Sequence, residues 1–295
     1  MTPRSKSNGA AFWGPELPAK RAPRVLILGD PSKETVAPMV ERLEAWLDGK
    51  ALAIEVDLGM GYDPIEGKPD LIISLGGDGM ILAASHRMGK RRVPVIGVNL
   101  GRVGFLAGVS AERLEEVMAL AFAGKARIED RALMTFQVKR DGKTVLDSHV
   151  LNEIVVSRRS EDSMITIDFI DERRPVCTFL GDGVIVSTAT GSTAYNMSAG
   201  GPILVPSLEA LVVQPLAPHT LAMRPLVLRN DRVFTLHMQN AGQLTSDGYL
   251  EGKLEAGDRI KIGPSGRRLT LVVDPKTRFY DRLRSKLHWG ETPGA

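Results

Sequence analysis

Apolar and polar positions in the first 125 residues alternate between two periods. Residues 24–28 make a short apolar run of the kind a buried strand uses. Val36, Met39, Val40, Leu43 and Leu47 then recur at helical spacing, which predicts an amphipathic helix. Pro38 fits that helix only near its start, so Thr35 is the expected N-cap. Residues 52–58, 71–75 and 93–98 predict three further strands. Leu114, Val117, Met118 and Ala121 mark one face of another helix, with Ser110 before it and Gly124 after it. Strands alternating with helices imply a mostly parallel sheet covered on both faces, a doubly wound α/β domain. Ligands of such sheets bind beyond the carboxyl ends of the strands.

The pattern changes near Lys125, and strands dominate from there to about Asp274. Residues 133–139 and 144–150 flank Asp141-Gly142, a strong hairpin signal. Ile165, Ile167 and Phe169 alternate with polar residues, as do Phe234, Leu236 and Met238. Residues 268–274 predict a late strand. Phe279, Leu283 and Leu287 then return to helical spacing. The expected division is a flexible tail over 1–22, an α/β domain over 23–125, a β-rich domain over 126–275, and a C-terminal helix over 276–295 that packs on the first domain.

Composition removes several function classes. The 295 residues suffice for two domains, and 43% hydrophobic with 25% charged residues is ordinary for a globular protein. A net charge of +3, with no aromatics interleaved among Lys and Arg, argues against a nucleic-acid partner but suits an anionic small ligand. Cys177 stands alone, which excludes an intrachain disulfide and fits a reducing, cytoplasmic setting. Its run, residues 176–179, reads as a strand with a buried structural thiol rather than a nucleophile. No apolar run approaches the ~18 residues of a membrane span, so no membrane partner is expected. The first 22 residues lack the apolar core of a secretory signal; a transit peptide is the alternative to a plain tail, against which their Pro and Gly content argues. The five histidines show no metal-ligand spacing, and neither a phosphate-loop GxxxxGK[ST] nor a GxSxG elbow occurs.

Four segments could carry chemistry. Gly76-Gly77-Asp78-Gly79 joins the apolar run 71–75 to a helix start at Met80. Glycines let backbone approach a phosphate, and the helix N-terminus favours the anion. A carboxylate in that turn either shapes and caps it, or holds a metal ion, or takes a proton from an attacking hydroxyl. Asn99-Leu100-Gly101-Arg102-Val103-Gly104 is a second glycine-punctuated turn beyond a strand end, with Arg102 a solvated residue or a phosphate contact. Asn152-Glu153 interrupts an apolar strand, so the pair faces a cleft or an edge; adjacent strand residues meet one ligand only if a bulge re-aims one. Gly181-Asp182-Gly183, followed by the hydroxyl-rich stretch Thr190 to Pro202 around Tyr195, could present N–H and O–H donors and a flat ring to a nucleotide; an ordinary loop is the alternative.

Together these segments closely resemble the NAD kinase family, from about Val25 to His288. The glycine turn is shared with related lipid and sugar kinases; Thr190-Gly191-Ser192-Thr193-Ala194-Tyr195, with Gly200-Gly201-Pro202 behind, is far more specific. The resemblance implies an α/β domain joined to a β-sandwich-like domain, assembled as a homodimer or homotetramer. It implies transfer of the γ-phosphoryl of ATP to the 2′-hydroxyl of the adenosine ribose of NAD, with Mg²⁺ or another divalent cation. By the same resemblance Asp78 is the base, and Gly76, Gly77, Gly79, Asn99 and Gly101 face phosphates. Asp78, Gly79, Asn152, Glu153, Asp182, Thr193, Ala194, Tyr195, Asn196, Ser198 and Ala217 match the positions lining the NAD pocket. Three positions depart from the family: Met80 replaces a usual Thr, Leu180 a frequent Arg, and Tyr249 a frequent Gln. A related lipid or sugar kinase and a dinucleotide sensor without catalysis are the alternatives; Met80 and Leu180 motivate the sensor, and Asp78 argues against it.

Overall fold

A computed structural model describes residues 21–59, 64–101, 104–159, 163–220, 222–288 and 290. All of the expected tail except Arg21 and Ala22, and also Arg102 and Val103 of the second glycine turn, lie outside the described residues. The chain divides into two compact units, Met1–Asp130 with Leu269–Ala295, and Arg131–Arg268.

The first unit is a parallel sheet with helices. Its strands run in the order Ala53–Asp57, Arg24–Gly29, Leu71–Leu75, Val95–Asn99. Val109 and Ser110, and the end of the strand Arg259–Val273, also pair in parallel with Val95–Asn99. Every residue of Leu71–Leu75 is buried, as a strand covered on both faces requires. The helix Val36–Leu47 buries Val36, Met39, Val40, Leu43 and Leu47, the set its spacing predicts. Thr35 stands at its N-cap position but makes no side-chain cap bond and is itself helical in φ and ψ, so the helix starts without that cap. Leu114–Phe122 buries Leu114, Val117, Met118 and Ala121 on the sheet, and Gly124 follows at φ 66°, the left-handed conformation that ends helices.

Antiparallel strands build the second unit. One sheet runs Leu226–Arg229, Ala210–Leu216, Gly183–Thr188, Glu153–Ser157, Gly242–Ser246, Tyr249–Leu254. The strands Arg174–Gly181, Ile165–Asp171 and Phe234–Met238 pair in that order, and Phe234–Met238 pairs with the start of Arg259–Val273. Apolar residues of both sets, among them Phe169, Phe234, Ile260, Val184, Ile154 and Leu244, share one core, which is the construction of a sandwich. The hairpin at Asp141-Gly142 forms with φ of 49° and 77° at its two turn residues, the signature of a type I′ turn.

Candidate active site

In the first unit the glycine turn follows Leu71–Leu75 and opens the helix Asp78–Arg87. Gly76 has φ 148° and its N–H donates to the Val98 carbonyl at 2.9 Å. That bond brings the turn beside Asn99, at the carboxyl ends of two neighbouring strands. Gly77 is the N-cap without a side chain to cap with, so the first N–H groups of the helix have no intrahelical acceptor. A Cβ on Gly76 would lie 2.9 Å from Met80 Cγ and 3.8 Å from Lys33 Nζ. Met80, in place of the family's Thr, thus packs over the turn, and an ammonium that no motif singled out stands beside it.

Asp78 lies in the first helical turn, half-buried. Its carboxylate accepts three backbone N–H bonds, from Phe105 at 2.8 Å to Oδ2 and from Leu106 and Ala107 at 3.0 and 2.9 Å to Oδ1. Gly104 has to be glycine for this grip, because a Cβ there would fall 1.9 Å from Asp78 Oδ1. Asn99 Oδ1 accepts the Gly101 N–H at 2.9 Å, so its side chain shapes the turn while Gly101 stays exposed.

In the second unit Asn152 and Glu153 are 8% and 6% exposed. They do not interrupt a strand: Lys143–Val150 ends before them and Glu153–Ser157 begins at Glu153. The cause is Asp247, which the sequence did not mark. Its carboxylate accepts the N–H groups of Leu151, Asn152 and Glu153 at 2.9, 2.7 and 3.2 Å. Asp247 and Gly248, at φ 46° and 87°, form the turn between Gly242–Ser246 and Tyr249–Leu254. That Asp-Gly dipeptide was the available signal. Glu153 Oε2 has no hydrogen-bond partner. Burial, with the Asp247 charge adding to it, pushes the Glu153 carboxyl up to about 8.

The Thr190 cluster docks on the same pair. Thr188 donates through Oγ1 to the Leu151 carbonyl at 2.6 Å and through its N–H to that of Asn152 at 2.8 Å. Gly191 lies so close that a Cβ would be 2.3 Å from the Asn152 oxygen. Beyond it, Thr193 and Ala194 are half-buried, while Ser198 and Tyr195 are exposed, Tyr195 by 48%. Asn196 differs from these. It is wholly buried, and its amide donates to the Ser192 and Pro202 carbonyls at 3.0 and 3.1 Å. Its amide nitrogen closes the loop, while Oδ1 is buried with no hydrogen-bond partner.

Asp182 and Ala217 are not brought to this cluster. Both lie past the Gly183 end of Gly183–Thr188, Asp182 donating its N–H to Leu216 at 3.0 Å. Asn152, Glu153 and Thr190 lie past the other end, about 16 Å away at ~3.3 Å of rise per residue. Ala217 is held at φ 39°. Arg158 Nε donates to Asp182 Oδ1 at 2.7 Å, so the Asp182 carboxylate is ion-paired with a guanidinium at the end of a neighbouring strand. Cys177 is half-buried in Arg174–Gly181, and burial raises its thiol pKa, with Asp168 adding to the shift.

Comparison with known proteins agrees in both halves. Residues 62–126 match the ATP-NAD kinase N-terminal domain, and residues 151–273 the ATP-NAD kinase C-terminal domain. An NAD kinase of Solibacter usitatus is 34% identical over 90% of this chain and 97% of its own length. One from Magnetococcus marinus is 40% identical over 81% of this chain and 77% of its own. Among solved structures, an Archaeoglobus fulgidus NAD kinase in complex with ATP aligns with TM-score 0.71 at 28% identity, over 90% of this chain and 97% of that one. A yeast NADH kinase complexed with NADH shares the fold, with TM-score 0.82 at 21% identity over 93% and 90% of the two chains. With both domain types matched in order, and whole-length relatives above 30% identity, the chain belongs to the NAD kinase family.

Proposed function

We propose that Asp78 is the general base in the phosphorylation of NAD to NADP, the reaction of this family. The 2′-hydroxyl of the adenosine ribose attacks the γ-phosphorus of ATP. The bond from that phosphorus to the β–γ bridging oxygen breaks, ADP leaves, and the hydroxyl proton passes to the Asp78 carboxylate. A ribose hydroxyl is a poor nucleophile at neutral pH, so a positioned base contributes ~10²–10⁴-fold. A carboxylate offers about four lone-pair sites; three are taken by Phe105, Leu106 and Ala107, which fix its orientation and leave capacity for one proton.

The donor's phosphates lie against Gly76, Gly77 and Gly79, with Lys33 as the cation beside the turn and Asn99 and Gly101 bordering it. Mg²⁺ is held chiefly by substrate phosphates and one or two carboxylates. Three lone-pair sites of Asp78 are taken and the fourth is left for the proton, so the cation would enter on ATP, held by its phosphates. The ion would supply positive charge against that of the transferring phosphoryl group.

On the acceptor side, Asn152 and Glu153 hold the ribose. Glu153 is protonated at neutral pH and can donate to a hydroxyl. Thr193, Ala194, Tyr195 and Ser198 face the dinucleotide, and Asn196 keeps their loop closed. Asp182 and Ala217 serve the pocket of a second copy of the chain, because they stand at the far end of Gly183–Thr188; this supports a homodimer or homotetramer. The lone cysteine supports a cytoplasmic setting.

The observation that carries this reading is the carboxylate of Asp78 fixed in a Cβ-free turn at a helix start. NADP formation from ATP, Mg²⁺ and NAD by the wild type and by Asp78→Asn tests it. Turnover in the first and near-complete loss in the second, with NAD still bound, is the expected result. Wild-type turnover in the variant removes the base assignment.

A further inference from the structure

The helix Phe279–Leu287 reaches Asp78 through one residue, Phe105. Three side chains of the helix, at i, i+3 and i+7 and hence on one face, hold that residue. The Phe279 ring lies 6.3 Å from the Phe105 ring, the planes at 44°. Arg282 Nη1 donates to the Phe105 carbonyl at 2.6 Å. Lys286 Nζ stands 4.6 Å from the Phe105 ring centroid. The N–H of the same Phe105 is bound to Asp78 Oδ2 at 2.8 Å. The peptide group between Phe105 and Leu106 thus carries the helix on its oxygen and the candidate base on its nitrogen, since the Leu106 N–H donates to Asp78 Oδ1 at 3.0 Å.

Arg282 is an unusual choice for a packing residue. It is 1% exposed, and its Nε and Nη2 have no hydrogen-bond partner. Glu129 Oε2 is 4.0 Å from Nη2. Gly108 admits the guanidinium, since a Cβ there would lie 3.3 Å from Cζ. A buried cation with so few partners is costly, and an apolar side chain of like volume would fill the space more cheaply. The hydrogen bond it does make ends on the strap that orients the base.

We propose that Arg282, with Phe279 and Lys286 beside it, is a positioning residue for phosphoryl transfer. It acts by fixing the segment Phe105 to Ala107 whose N–H groups hold Asp78, and the proposal rests on Asp78 being the base. Loss of the Arg282 bond lets the strap shift, and the carboxylate turns with it. Substrate binding by the dinucleotide residues of the second unit does not pass through this contact, so the effect falls on kcat rather than on KM for NAD.

The test uses the full chain as Arg282→Met, Arg282→Lys and Lys286→Ala, alongside Asp78→Asn. Arg282→Met should lower kcat about tenfold or more, as misplacement of a reacting group does, with KM for NAD little changed. The amides of Phe105, Leu106 and Ala107 should exchange faster with solvent. Arg282→Lys, which restores a charged donor, should recover most of the loss. Lys286→Ala changes an exposed side chain and carries the test should the Met variant not fold, with the same direction in kcat and in amide exchange. Unchanged kcat and unchanged exchange at 105–107 in a folded variant, while Asp78→Asn is inactive, overturn the positioning role and leave the base in place. An active Asp78→Asn overturns the base itself, and the proposal with it.

Discussion

Glu153 is an acid buried to 6% exposure beside another carboxylate, Asp247. Its carboxyl is pushed from an ordinary 4.5 up to about 8, first by burial and then by the Asp247 charge. The folded chain therefore keeps a proton that the unfolded chain has released. The contribution of Glu153 to stability should be full below about 4.5 and fall as pH rises toward 8, by at most ~1.4 kcal/mol per pH unit. Glu153→Gln, which mimics the protonated form, should flatten that fall. Urea unfolding at pH 6 and pH 8 checks it, and equal slopes in the two proteins would contradict the assignment. At this scale Asp78 stood out in the sequence, because an acid in a glycine turn conflicts with phosphate binding unless it has a task; the three N–H groups that hold it did not. Asp247, Arg158 and Lys33 were not, since each matters through a partner distant in sequence: Asp247 meets Asn152 across 95 positions. Asn196, expected to line the pocket, is wholly buried with its amide nitrogen bound to its own loop, which its place in the sequence did not show.

Elements were read well wherever one face is apolar. The helices Val36–Leu47, Leu114–Phe122 and Phe279–Leu287 appear where their spacing places them, because periodic burial is local information. The break between Lys143–Val150 and Glu153–Ser157 was missed, as it is imposed by the turn at Asp247 and Gly248 rather than by residues 150–157 themselves. That dependence is testable. Asp247→Ala strips three buried N–H groups of their acceptor and should cost about 3 kcal/mol or more. The loosened pair should raise KM for NAD about tenfold, the equivalent of ~1.4 kcal/mol. Calorimetric unfolding and steady-state kinetics measure the two effects; loss of stability with NAD binding intact would separate Asp247 from the site.

On the scale of the whole molecule, two fold types in one chain were evident from the change of period near Lys125. The return of the chain to the first unit at Leu269 was less so, because residues 263–268 (Gly-Pro-Ser-Gly-Arg-Arg) read as a turn before a separate strand, whereas Arg259–Val273 runs through them as one strand. The separation of Asp182 and Ala217 from the Tyr195 cluster could not be read at all, since strand direction alone puts them at opposite ends. If a second copy completes the pocket, Asp182→Ala and Tyr195→Ala proteins, each impaired alone, should regain NADP formation when mixed and allowed to exchange subunits. No recovery, or a monomeric mass by light scattering, would refute the shared pocket.

The proposed mechanism turns on Asp78 taking the proton from the 2′-hydroxyl as phosphoryl transfer occurs. Its most direct measurement is kcat for NADP formation by Asp78→Asn at saturating ATP, Mg²⁺ and NAD, with NAD affinity determined on the same preparation. With Asp78 as the base, kcat should fall ~10²–10⁴-fold while NAD binds nearly as in the wild type. A variant that turns over at the wild-type rate would contradict it.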